Sequence, residues 1–224
     1  MSKRLISVLP LICLAGTIVA SFFVNLSGIK GNTLASRFYF ATATLDKEYF
    51  WTMYNLCTKN ALGKFVCTAV RPAFPYSPAT NFDPMMVPKP FSTNVNFYYY
   101  MLRVSYGFLL VALAFEVASL IPMLEIAYRG LVNGLYAYMV TGLGLLLAIV
   151  GAVLSTVVHV KGVNTFKSAN VAARVGVPMF ICMWVGVFGT MIAFVSVFLF
   201  RCKRSDDEPM HFEEEKAAES IISE

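Results

Sequence analysis

Residues 134–158 read GLYAYMVTGLGLLLAIVGAVLSTVV, a stretch without a charged side chain. At about 1.5 Å per residue, a helix of this length crosses the roughly 30 Å of hydrocarbon in a bilayer. Stretches of similar character cover residues 5–28, 102–124 and 175–200. None of the four alternates between apolar and polar positions, as the strands of a membrane barrel do. The sequence therefore predicts an all-α membrane protein built on a bundle of four transmembrane helices.

The composition agrees with this fold class and argues against others. Of the 224 residues, 58% are hydrophobic and 14% are charged, against about 45–50% and about 25% in an average soluble domain. A soluble domain of this length lacks the interior volume to bury so much apolar surface. The basic residues are scattered, which argues against nucleic-acid binding. The sequence contains no catalytic constellation, glycine-rich phosphate loop or metal-ligand spacing, so we expect neither an enzyme nor a bound cofactor or metal.

Basic residues beside the spans indicate the orientation. Lys3 and Arg4 precede the first span, and a basic cluster at residues 201–204 follows the fourth. Because basic flanks stay on the cytoplasmic side, we expect both termini inside the cell, although three bases in the loop 159–174 oppose this. A cleaved signal peptide is the alternative for the first span, but its apolar core is longer than that of an ordinary signal.

These spans and flanks divide the whole chain into segments. We expect a cytoplasmic N-terminus and first span over 1–28, an extracellular loop domain over 29–101, a second span over 102–124, a cytoplasmic turn over 125–133, a third span over 134–158, an extracellular loop over 159–174, a fourth span over 175–200 and a cytoplasmic acidic tail over 201–224. The histidine at 159 falls in the second of these loops. The tail has too little apolar content to fold, so we expect it to be disordered.

The loop 29–101 carries most of the turn residues of the chain. Six prolines lie between Pro72 and Pro90, and this density favours an extended path over a helix. In an oxidising compartment, Cys57 and Cys67 can pair only with each other within one chain. Two free thiols are the alternative, and a zinc site is disfavoured because neither histidine lies near. A bridge would close a ring of about 11 residues and stabilise the fold by roughly 3 kcal/mol.

One string of residues in this loop resembles a known family. Trp51-Thr-Met-Tyr-Asn-Leu-Cys57 is followed by Cys67 and then by Pro72-Ala-Phe-Pro-Tyr-Ser-Pro-Ala-Thr-Asn-Phe82. This order is similar to that of the fungal SUR/PalI family of four-span plasma-membrane proteins, whose topology is claudin-like. The residues that carry the resemblance are Trp51, Cys57, Cys67, Pro72, Pro75, Pro78, Asn81 and Phe82.

The resemblance implies a place and a role. The chain would be a non-enzymatic tetraspan that organises eisosome-associated, furrow-like patches of the fungal plasma membrane and supports cell-wall integrity. Its partners would be membrane lipids, other plasma-membrane proteins or copies of itself, and cell-wall components, with no nucleic acid. A second branch of the family implies an accessory of ambient-pH signalling. Family members often carry a longer tail than residues 201–224, which puts regulation through the tail in doubt.

The spans and their edges contain three further candidate sites. Glu116 lies in the middle of a span, where a carboxylate costs at least about 2.5 kcal/mol. It can make a structural hydrogen bond, contact another membrane protein, or form the centre of a small transporter or channel. Gly144, Ala148 and Ala152 form a small-xxx-small row suited to packing within the bundle or to lateral oligomerisation. Cys202 lies beside the membrane and is a candidate palmitoylation site.

Overall fold

The structure is a computed structural model that describes residues 3–29, 38–60, 62–83, 85–129 and 134–222. In chain order its elements are α1 (Lys3–Asn25), β1 (Ala41–Thr44), β2 (Glu48–Trp51), β3 (Leu56–Lys59), β4 (Phe65–Cys67), α2 (Pro78–Asn81), α3 (Lys89–Thr93), α4 (Val95–Ala118), α5 (Leu120–Arg129), α6 (Gly134–Ser168), β5 (Ala173–Val175) and α7 (Val177–Ile222).

In the part of the chain that the structure describes, four helical segments are long and apolar enough to cross a membrane, which confirms the predicted fold class. They are Val8–Asn25, Val95–Glu125, Leu135–Ser168 and Val177–Leu199. The second combines α4 with the start of α5. The two helices meet at Ser119, whose hydroxyl donates to the Phe115 carbonyl oxygen at 2.7 Å, a backbone contact that often bends helices.

The bundle is held by close packing of α4 against α6 and of α1 against α7. Gly151 on α6 lies directly against α4, because a Cβ at this position would approach Leu109 Cγ to 2.8 Å. At the same level the Ser105 hydroxyl of α4 donates to the Gly151 carbonyl oxygen at 2.8 Å. Small residues thus supply the close backbone approach on which helix association in lipid depends.

The predicted row of small residues lies inside this bundle. A Cβ at Gly144 would meet the Phe115 Cβ of α4 at 3.0 Å. Ala148 and Ala152 are 3% and 0% exposed. The row is therefore occupied by packing within one chain, and any lateral association has to use other helix faces.

A sheet stands at one end of the bundle, in the order β4-β3-β2-β1-β5 with all neighbours antiparallel. We call the described residues from 38 to 94, together with β5, the first-loop domain. Ala41 pairs with Trp51 on one side and with Val175 on the other, so the strand between α6 and α7 completes a sheet begun between α1 and α4. The two loops predicted from the sequence form one domain.

The third helix is longer than the predicted span. It continues from 158 to Ser168, so most of the segment 159–174 is helix rather than loop. It ends where Asn170 takes a φ of 58°, a left-handed conformation that asparagine tolerates at helix ends. The continuation carries His159 into the structured part of the protein.

The proline-rich segment contains two short helices, α2 and α3, where the sequence predicts an extended path. In each helix a proline occupies one of the first two positions. The first turn of a helix has no intrahelical partner for its N–H groups, so a proline there costs nothing and presets the helical φ. The proline density therefore starts helices in this segment instead of preventing them.

The acidic tail is also helical, where the sequence predicts disorder. The backbone of α7 continues from the fourth span to Ile222. Six of the 24 residues of the tail are glutamate, which is a good helix former. Because it extends an existing helix, it needs no separate nucleation.

Candidate functional site

The predicted disulfide between Cys57 and Cys67 is confirmed. The two cysteines face each other directly across β3 and β4. The bridge therefore ties the edge strand of the sheet to its neighbour, at the end of the strand pair farthest from the hairpin turn that joins them. Cys13 and Cys182 are free thiols in the helices of the described part of the chain. The side chain of Cys202, the candidate palmitoylation site, lies outside the described residues.

Trp51 connects the sheet to the proline-rich segment and to the bundle. Its side chain is completely buried at the end of β2. The indole ring lies 5.1 Å from the ring of Tyr76, 5.8 Å from that of Phe82 and 6.1 Å from that of Phe166 on α6, measured between centroids. One aromatic side chain thus holds three parts of the fold together.

The proline-rich string folds back along the sheet to reach this tryptophan. The N–H of Phe74, between Pro72 and Pro75, donates to the Met53 carbonyl oxygen at 2.9 Å. Pro78 is buried at the start of α2, and the Asn81 side chain donates to the Pro75 carbonyl oxygen at 3.1 Å.

The predicted motif residues are therefore brought together in space. Phe82, the last of them, packs its ring against both Tyr49 and Trp51. Burial raises the pKa of the Tyr76 hydroxyl above its usual range, so Tyr76 remains neutral beside the tryptophan.

His159 is the residue of this region that the sequence interpretation missed. It was placed in a loop, but it lies on α6 and is fully buried. Its Nδ1 donates to the Ser155 carbonyl oxygen at 2.7 Å. Its ring stacks on Phe40 at 4.9 Å and lies 4.8 Å from Tyr76. The signal that could have located it is the helical spacing of His159 with Ser155 and Phe166, all buried on one face of α6.

The end of α1 is bonded to the sheet. Gly28 has a φ of 91°, and a Cβ there would collide with Thr52. The Gly28 carbonyl oxygen accepts a hydrogen bond of 2.5 Å from the Asn55 side chain, and the Ser27 hydroxyl donates to the Phe38 carbonyl oxygen at 2.6 Å. Glycine is needed here because the backbone turns left-handed against another chain segment.

We call Gly28, Trp51, Asn55, Tyr76 and His159 the junction cluster. Its members come from the end of α1, from the sheet, from the proline-rich string and from α6. Together they fix the first-loop domain onto the bundle by one hydrogen bond and a continuous set of ring contacts.

Glu116 is buried in the middle of the bundle. It lies on α4 and is 2% exposed. The Thr190 hydroxyl of α7 lies 3.1 Å from Glu116 Oε1 and 3.0 Å from the Gly186 carbonyl oxygen. Among the described residues, no group of three or more histidine, cysteine or acidic side chains is placed to hold a metal ion. Glu116 therefore links α4 to α7 through a hydroxyl, as a structural hydrogen bond requires.

Cations at the domain end of the helices lie over aromatic rings. The Arg103 guanidinium is 4.7 Å from the centre of the Tyr99 ring, and the Lys161 ammonium is 4.3 Å from that of Phe97. Rings and long basic side chains of this kind are typical of the boundary between hydrocarbon and headgroups.

Four membrane-length helices and a disulfide-bonded sheet between the first two define a four-span membrane protein. Comparison with known sequences adds its family. The sequence model of the SUR7/PalI family matches residues 6–196. The chain belongs to the SUR7/PalI family.

The individual relatives are fungal proteins. The chain is 31% identical over 197 residues to the SUR7 family protein FMP45 of Saccharomyces cerevisiae, covering 83% of this chain and 63% of the relative. It is 30% identical over 194 residues to Protein SUR7 of Candida albicans, covering 83% and 70%. It is 30% identical over 198 residues to the uncharacterized plasma membrane protein YNL194C of Saccharomyces cerevisiae, covering 83% and 65%. The chain thus spans less than two thirds of the length of the first and third of these relatives.

Proposed function

We propose that this protein is a non-enzymatic organiser of a plasma-membrane microdomain of the eisosome or furrow type. It supports cell-wall integrity through lateral contacts with proteins and lipids. Membership of the SUR7/PalI family supports this role, and one relative is named a plasma membrane protein. The observation that carries the proposal is the junction cluster, because it joins a surface beyond the membrane to the helices that make contacts within it.

The helix faces turned away from the bundle offer the lateral surface. They carry large exposed apolar side chains, such as Val153 on α6 and Phe188 on α7. At the domain end of the same helices, Arg103 and Lys161 are held on aromatic rings. Cations at this level lie where the phosphate groups of lipid headgroups can pair with them. The apolar helix faces are suited to contacts with neighbouring membrane proteins and acyl chains, and the cations at the domain end of the helices are suited to contacts with lipid headgroups.

Imaging of the tagged full chain in its native membrane tests the proposal. We expect stable patches with slow fluorescence recovery after bleaching. The double variant Arg103→Ala, Lys161→Ala should recover faster, because its headgroup contacts are weakened. Lys64→Ala, in the hairpin turn between β3 and β4, is the matched control and should recover like the unaltered chain. A uniform distribution without patches would contradict the proposed role.

We also propose that both termini face the cytoplasm and the first-loop domain faces outward. The basic flanks of the first and fourth spans support this orientation, and so does the disulfide, which needs an oxidising compartment. Leu62→Thr tests it, because it creates a glycosylation acceptor at Asn60 in the β3–β4 turn, where the side chain of residue 62 is 81% exposed. A glycan that disappears in the same background with Asn60→Gln supports the orientation, and an unglycosylated Leu62→Thr chain opposes it.

A PalI-like accessory of ambient-pH signalling is the second candidate function. Family membership supports it, and His159, buried where the bundle meets the first-loop domain, is the side chain whose replacement tests it. Deletion strains complemented with the unaltered chain or with His159→Gln distinguish the two functions. A growth defect confined to alkaline or acidic medium favours signalling, and a wall defect at every pH favours the organiser.

Transport centred on Glu116 is the third hypothesis. The cavity beside Glu116 has a volume of about 10 Å³, which accommodates one water-sized particle and gives little support to a path for solutes. Flux through the reconstituted full chain that disappears in Glu116→Gln would nevertheless establish transport.

A further inference from the structure

The cavity beside Glu116 has a polar side and an apolar side. Ser21 and Asn25 of α1 and Glu116 of α4 form the polar side. Apolar side chains of the four membrane helices, including Met183 of α7, form the remainder. Its volume of about 10 Å³ lies at the lower limit for one water molecule, which needs roughly 10–15 Å³ by this measure.

Two buried oxygen atoms of the polar lining have no hydrogen-bond partner among the described residues. They are Glu116 Oε2 and Asn25 Oδ1, and both side chains are 2% exposed. The other polar atom of each side chain is already engaged. Glu116 Oε1 is paired with the Thr190 hydroxyl, and Asn25 Nδ2 donates to the Ser21 carbonyl oxygen at 2.9 Å. Asn25 Oδ1 lacks any donor, and the hydroxyl groups of Ser21 and Thr190 are the donors that act on the Glu116 carboxyl group.

We propose that this cavity is a binding site for one water molecule, which donates one hydrogen bond to Glu116 Oε2 and the other to Asn25 Oδ1. A water molecule has the two donors that these atoms lack, and buried waters bridge such groups in many proteins. The Ser21 hydroxyl, which also interacts with the Glu116 carboxyl group, lies on the same wall of the cavity. The water connects α1 to α4, and Glu116 then connects it to Thr190 on α7.

A metal cation is a poorer occupant of the same space. Hard cations take about six or more oxygen ligands, and three polar side chains line this cavity. The rest of the lining is aliphatic or thioether. The water site does not depend on the proposed organising function, since it concerns how the helices are held together.

Radiolytic footprinting of the full chain in lipid nanodiscs tests the site. A short X-ray pulse generates hydroxyl radicals from bound water, and a methionine beside that water is oxidised although bulk solvent cannot reach it. Met183 lines the cavity and is 4% exposed, whereas Met179, one turn earlier on α7, is 0% exposed and is absent from the lining. We expect Met183 to be oxidised several-fold faster than Met179.

Variants at Glu116 separate bound water from residual exposure. Glu116→Leu removes the acceptor, so the oxidation rate of Met183 should fall to that of Met179. Glu116→Gln keeps an acceptor oxygen and should preserve the fast rate. Equal rates for the two methionines in the unaltered chain overturn the proposal even if Glu116→Leu fails to fold. A fast oxidation of Met183 that persists in folded Glu116→Leu also overturns the proposal. So does an oxidation rate of Met183 that changes when sodium is replaced by choline, because that change indicates a bound ion.

Discussion

Replacing Trp51 by alanine tests whether the junction cluster holds the first-loop domain on the bundle. The indole is completely buried and contacts rings from the proline-rich string and from α6. Truncating a buried tryptophan or phenylalanine to alanine costs about 3–5 kcal/mol, because apolar burial is lost and a cavity remains. We expect the upper part of this range, because three aromatic partners lose a ring contact and each such pair adds about 0.5–1.5 kcal/mol.

The matched control is the other tryptophan of the chain. Trp184 on α7 is partly exposed; its Nε1 donates to the Thr156 hydroxyl at 3.3 Å, and its ring lies 6.4 Å from that of Phe188. Lipid can fill the space that Trp184→Ala leaves, so no dry cavity forms. We therefore expect Trp184→Ala to cost about 1 kcal/mol, the value of one neutral hydrogen bond.

The assay is thermal unfolding of the purified full chain in nanodiscs. Unfolding is measured as the loss of the monodisperse fraction after heating to each temperature. At about 2–4 °C per kcal/mol for a chain of this size, Trp51→Ala should lower the midpoint by about 8–20 °C and Trp184→Ala by a few degrees. Trp51→Phe should lie between them. Equal midpoints for Trp51→Ala and Trp184→Ala would refute the role assigned to the junction.

Further predictions concern Gly176 between β5 and α7, the disulfide between Cys57 and Cys67, and the row of small residues on α6. Gly176→Ala should abolish folding at 37 °C, because the new Cβ would collide with the carbonyl of the neighbouring segment, whereas Gly107→Ala, which faces open space, should unfold like the unaltered chain. Cys57→Ser should cost about 2–4 kcal/mol, and adding a reductant to the unaltered chain should lower its thermal midpoint to match. Ala152→Ile should destabilise the bundle by about 1–3 kcal/mol through overpacking, and the lipid-facing Val153→Ile should be neutral. A stable Ala152→Ile chain that loses only an oligomer on size exclusion would show that the row packs between copies.

The four spans could be predicted from the sequence because their signal is local. A window of about 20 apolar residues is sufficient evidence for a membrane helix, whatever lies around it. The pairing of Cys57 with Cys67 was predictable for a similar reason, since the two are ten residues apart and the loop 29–101 contains no other cysteine. The motif string around Trp51 could be recognised as a family pattern, but the pattern gave no information about which side chains Trp51 contacts.

Contacts between distant parts of the chain could not be predicted. The β1–β5 pairing joins residues near 42 to residues near 174, and Arg174 forms an ion pair with Glu48 at 2.7 Å across 126 residues of sequence. The partner of Glu116, Thr190, is 74 residues away. A single sequence gives no signal for any of these three contacts, because strand pairing and side-chain bonding between distant residues depend on how the helices pack.

The end of α1 explains why the first-loop domain and the centre of the bundle belong to one structural unit. Gly28 is bonded to Asn55 in the turn between β2 and β3, and Asn25, the last residue of α1, lines the cavity beside Glu116. Both contacts depend on the position of the same last turn of helix. A displacement of the sheet has to move this turn, and a displacement of this turn changes the polar lining at Glu116. Because the bundle interior is close-packed, the surface beyond the membrane and the helix faces within it can respond to each other through this one turn of α1.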